Sequence, residues 1–167
     1  MKTFDPQTTL ELKAAAFSRL TDHLQVRSDV QNTDLRNLAG FCRNSMSEWL
    51  ADAANEKGVD PSKLSTNTLD TQTTLEVHAG AFERLTDHLL LRSDVQNMDL
   101  MNLAGFCRNC LANWYQEAAS ENGLQLTKDG AREVIYGMPY KEWQAKHQKE
   151  ASPEQQAPFA KSKPHQH

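Results

Sequence analysis

Cys107-Arg108-Asn109-Cys110 is the one local motif in this chain whose residue types and spacing could do chemistry. Two sulfurs at i and i+3 project from one face of a helix, where they can chelate a soft metal, exchange with a disulfide, or simply fill a core. At about 100° per residue they share a stripe with Leu103 and Trp114, which places them on the apolar face of a helix expected from Asp99 to about Asn122. Core packing is the favoured reading there. A redox role wants a thiol at a helix N-terminus, and on this reading Cys107 lies about two turns past it. A zinc or iron site needs more ligands than two; Cys42 is the candidate third sulfur, with His88 or His23 as a possible fourth ligand.

Polar and aromatic residues give two further candidate surfaces. Asn102, Asn109 and Asn113 fall close together around the same expected helix, although asparagine is a poor mid-helix residue. They point to tertiary hydrogen bonds, either with the connector residues Arg92, Asp94, Gln96 and Asn97 or with a ligand or partner. Tyr136, Met138, Pro139, Tyr140 and Trp143 cluster around a glycine–proline turn that either caps the bundle or presents rings to a partner. No Ser/His/Asp order, phosphate-binding glycine loop or His-x-x-x-His pair occurs.

The elements that must position these residues come from a duplication. Asp5 to Gly58 returns as Asp70 to Gly123 without a gap, with 36 of the 54 aligned residues identical. Each copy opens on Thr-Thr-Leu-Glu, read as a capping box from Thr8 to Glu11 and from Thr73 to Glu76. Leu75, Ala79, Phe82, Leu85 and Leu89 then recur at helical spacing, matched by Leu10, Ala14, Phe17, Leu20 and Leu24. The connector Arg-Ser-Asp-Val-Gln-Asn is the same in both copies, and Gly123 is the expected stop of the second helix. The expected architecture is all-α: a helical bundle from a duplicated two-helix unit, the second copy extended by two short helices, with a disordered C-terminal tail. The divisions are a partial repeat over 5–58, a linker over 59–72, a complete domain over 73–151 and the tail over 152–167. Copy one docks on copy two, because two helices alone cannot cover both apolar faces.

Composition narrows the function classes. The net charge of −4 is spread over both halves, so no basic patch argues for nucleic acid. The start lacks an apolar leader, no window is apolar enough for a membrane span, and three cysteines read as free thiols; a cytoplasmic protein is expected.

The run from Asp94 to Cys110, followed by Ala131 to Trp143 with its Tyr-Gly-Met-Pro-Tyr turn, resembles a short bacterial all-helical family, domain of unknown function 1244. The resemblance covers roughly Thr73 to Ala151, implies a compact helical fold, and carries no catalytic roles. Copy one resembles only the first half of that domain, with Ser45 for a cysteine, Arg36 for a methionine and no aromatic turn. If the family self-associates through its long helices, copy one would stand in for a second subunit. The leading functional expectation is a non-enzymatic module that binds a protein partner or self-associates, without a cofactor. The competing one is a metal- or thiol-dependent protein built on Cys107 and Cys110.

Overall fold

Aspartate, a stronger N-cap than threonine, sets both long helices. In the computed structural model, which describes residues 4–65 and 69–161, α1 (Pro6–Val26) starts at Asp5 and α4 (Thr71–Leu91) at Asp70. Each carboxylate accepts the backbone N–H three residues on, Thr8 and Thr73, at 2.6 Å. The helices therefore begin one turn earlier than the Thr-x-x-Glu pattern suggests, helped in α1 by Pro6 in its first turn.

The expected second helix is two helices in each copy. Helices α2 (Asn32–Ala39) and α5 (Asn97–Ala104) stop at Gly40 and Gly105, whose φ of +79° and +75° close the helix in the left-handed region. The chain restarts as α3 (Arg43–Glu56) and α6 (Arg108–Glu121), with Cys42 and Cys107 as extended N-cap residues. The repeat is thus a three-helix unit, and Gln96 rather than Asp99 is the N-cap of α5. A 3₁₀ turn over Pro61–Ser65 lies in the linker. Copy two continues with α7 (Lys128–Tyr136), stopped by Gly137, and α8 (Tyr140–His147). The segment read as a tail forms a further helix, α9 (Pro153–Lys161), which packs on α5, while residues 162–167 lie outside the described residues. Among the described residues no strand occurs, and no helix is long and apolar enough to cross a membrane.

The two copies pack by exchange. Helix α1 lies on α4, α3 packs on α4, and α6 packs on α1, so the third helix of each copy rests on the first helix of the other. The polar contacts repeat the exchange: His23 Nε2–H donates to the Ala104 carbonyl and His88 Nε2–H to the Ala39 carbonyl, both at 2.8 Å. Arg19 pairs with Glu121, and its counterpart Arg84 pairs with Glu56. Between these rims Phe17, Leu20, Phe82, Leu85 and Trp114 are fully buried in one core that spans both copies.

Candidate functional site

The break at Gly105 relocates the cysteine pair. Cys107 is not two turns inside a helix; it is the N-cap of α6, and Cys110 lies in the first turn of that helix. The dipole of α6 therefore acts on the Cys107 sulfur. The Cys110 thiol hydrogen-bonds to that sulfur, and the Cys110 and Asn109 amides and the Arg108 charge add to it; burial opposes them, and the Cys107 thiol settles at about 7. Cys110 moves upward, first because it donates this hydrogen bond and then because it is buried beside a developing negative charge. The two thiols are thus shifted apart, Cys107 downward and Cys110 upward, and both are buried, with Cys107 7% exposed.

Arg108, which no motif singles out in the sequence, holds this end of α6 in place. The residue is 1% exposed, and its guanidinium donates to the carbonyls of Val95 at 2.7 Å, Arg92 at 2.9 Å and Leu89 at 3.3 Å, and to Asn97 Oδ1 at 2.9 Å. It thereby ties the end of α4, the connector and the start of α5 to the residue after Cys107, and its plane lies over the Trp143 ring, 4.9 Å from the centroid. A signal was present: Arg43 follows Cys42 in the same way and makes the matching four bonds, to Val30, Arg27, Leu24 and Asn32.

Asn97 of the connector and one of the three asparagines, Asn109, join a polar network around this frame. Asn97 Nδ2 donates to the Tyr136 hydroxyl at 2.9 Å, Tyr136 donates to Asn109 Oδ1 at 2.6 Å, and Asn109 Nδ2 donates to the Tyr140 hydroxyl at 3.2 Å. Burial, with the Cys107 charge next, raises the Tyr136 phenol, so it stays a proton donor. Asn102 is on α5, not on the helix of the other two; its Nδ2 donates to the Gln155 carbonyl, and its buried Oδ1 has no partner among the described residues. Asn113 lies apart, in a groove beside Gln116 and Lys128. Arg92 and Asp94 form a two-pronged ion pair at 3.0 Å that holds Asp94 below the usual carboxylate range. Tyr136 and Trp143 are buried, leaving Tyr140 as the ring of that cluster that faces open space.

That open space is a cleft of about 540 Å³ with Cys107, Asn109 and Tyr140 in one wall and the start of α5, Gln96 to Asp99, in another. Residues 148–151 and Gln155 form the third wall. This strap is held by amide side chains: Gln96 Nε2 donates to the His147 carbonyl at 3.0 Å, the Lys149 N–H donates to Gln96 Oε1 at 2.9 Å, and Gln155 Nε2 donates to Asp99 Oδ1 at 2.8 Å. The sequence gives no hint of the strap, because its polar composition matches that of a tail. Among the described residues no three His, Cys, Asp or Glu side chains gather as a metal cage, so Cys42, His23 and His88 do not join the sulfur pair. The two histidines instead bridge the copies.

In copy one the corresponding frame carries one thiol. Cys42 caps α3, and the Cys42 N–H donates to Ser45 Oγ at 3.2 Å. Burial raises the Cys42 thiol, but the Ser45 and Asn44 amides, the Ser45 hydroxyl and Arg36 outweigh it and leave Cys42 below its ordinary value.

The family described as protein of unknown function (DUF1244) matches residues 30–69 and 95–161. No curated protein matches the chain. Both segments start at the same valine of the connector, Val30 and Val95, and the second runs on through α9 instead of ending near Ala151. The match covers more than half of the sequence, and the chain belongs to this family.

Proposed function

We propose that this member of the family is a dithiol–disulfide redox protein, with Cys107 as the attacking thiolate and Cys110 as the resolving thiol. The observation that carries this reading is the placement of Cys107 at the N-cap of α6, with Cys110 in the first turn and a cleft at the sulfur. A thiol near pH 7 is ionised enough to attack and still nucleophilic. The partner-module reading loses support because two of its three aromatic anchors, Tyr136 and Trp143, face the core and only Tyr140 lines open space.

The test is a redox titration read by mass spectrometry and free-thiol count. The three thiols of the reduced protein should fall to one on mild oxidation, through a Cys107–Cys110 bond that Cys107→Ser and Cys110→Ser each abolish. Alkylation of Cys107 should show a pH inflection near 7. A reduced pair that survives excess disulfide, with Cys107 alkylating only at the pH of an ordinary thiol, would sink the proposal.

A further inference from the structure

The walls around Cys107 say something about what reaches it. Cys107 lies behind the 148–151 strap and is 7% exposed, so a disulfide on a folded protein cannot approach it while the strap is in place. A cleft of about 540 Å³ instead suits a molecule of drug or short-peptide size.

The chemistry of the lining is mixed in sign. Lys149, on the strap beside the start of α5, favours a carboxylate, while the dipole of α5, uncapped by a side chain among the described residues, is offset by Asp99 in its first turn. Asp99, which uses one oxygen on Gln155, and Glu150 favour an ammonium group, while Asp94 is already neutralised by Arg92. Gln148 also lines the cleft, as does Asn109, whose amide is held by Tyr136 and Tyr140.

Resting on the dithiol reading, we propose that the cleft binds small zwitterionic disulfides, the oxidised forms of amino-acid or short-peptide thiols that carry both an ammonium and a carboxylate. The Cys107 thiolate attacks one sulfur of the substrate, forming a mixed disulfide and expelling the first small thiolate. Cys110 then attacks the Cys107 sulfur, forming the internal disulfide and releasing the second small thiol; the Cys110 proton ends on a departing sulfur. Two electrons and the one Cys110 proton pass from the protein to the substrate, the first small thiolate taking any further proton from water, and the reverse sequence restores the thiolate–thiol pair.

The experiment follows internal disulfide formation in the full-length reduced protein with cystine, glutathione disulfide, bis(2-hydroxyethyl) disulfide and insulin as oxidants. The expected result is saturable oxidation by one or both zwitterions, at least about tenfold faster than by the neutral hydroxyethyl compound, since a charged hydrogen bond is worth about 1.5 kcal/mol or more. Cystine against glutathione disulfide decides between a single amino acid and a short peptide. Asp99→Asn and Glu150→Gln should each bring the ratio toward one; two variants on different walls guard against a local folding fault. Equal rates for neutral and zwitterionic disulfides, or insulin as the fastest, would overturn the substrate class while leaving the dithiol reading intact. Failure of all four to link Cys107 to Cys110 would overturn both.

Discussion

Copy one and copy two build the same frame and finish it differently. In both, a left-handed glycine ends a short helix, a cysteine caps the next one, and the following arginine binds three carbonyls and an asparagine. Copy two adds Cys110 and covers its arginine with Trp143; copy one has Ser45, and Arg43 lies half-buried beside an open groove with Met46 and Leu50. The helix-capping cysteine and its arginine therefore belong to the architecture of the repeat. What belongs to copy two alone is the second sulfur, the aromatic cover and the cleft walled by the strap.

Restoring the missing sulfur tests that division most sharply. Ser45→Cys should give copy one a Cys-x-x-Cys at a helix N-terminus and an all-or-none gain of a second disulfide, so that oxidation removes all four thiols where the parent retains one; a free-thiol assay decides it. If Cys42 and the new thiol stay reduced, the aromatic cover or the cleft is needed for the redox step.

Next in size is the cost of removing each arginine. Arg108→Leu leaves buried carbonyls without a donor and should lose about 3 to 5 kcal/mol in urea unfolding, whereas Arg43→Leu, where water can reach the same groups, should lose about 1 to 2 kcal/mol. Equal losses would mean that the α7–α8 cover contributes nothing to the difference.

A smaller effect should appear in the pH dependence of stability. The folded protein releases the Cys107 proton at about 7, against 9.0 for an ordinary thiol, so it binds fewer protons than the unfolded chain between these values. Stability should rise with pH across that window, by at most about 2 to 3 kcal/mol, and the increment should be absent below pH 7. Above pH 9 the raised Cys110 acts the other way, so the increment peaks there. Denaturant melts at pH 6, 7, 8 and 9 should show Cys107→Ser flattening this rise more than Cys42→Ser does.

The duplication, the all-helical class, the long first helix of each repeat and the stop at Gly137 were all legible in the sequence, because apolar periodicity and identity between copies are strong signals. The site was not, for a specific reason. Leu103, Cys107, Cys110 and Trp114 keep helical spacing straight across Gly105, so the periodicity hid the break; cysteine is not a usual N-cap residue and left no start signal. The glycine was the available clue. Gly40 and Gly105 occupy the same place in both copies, as Gly58 and Gly123 do at the ends of the third helices, and all four have positive φ. The caps at Asp5 and Asp70 were obscured in a similar way by the Thr-x-x-Glu pattern just after them.

The exchange of third helices between the copies has a consequence for how this chain can vary. In an assembly of two identical subunits every substitution strikes twice, once on each side of the contact, and a change that suits one side must be tolerated by the other. Here both sides lie on one polypeptide and are encoded separately. The tether also fixes their meeting at a high effective concentration, so the contact survives any dilution that leaves the chain intact. Under those terms one half can lack a sulfur, a turn and three helices and go on serving as a scaffold, because His88 and Arg84 still find Ala39 and Glu56, just as His23 and Arg19 find Ala104 and Glu121.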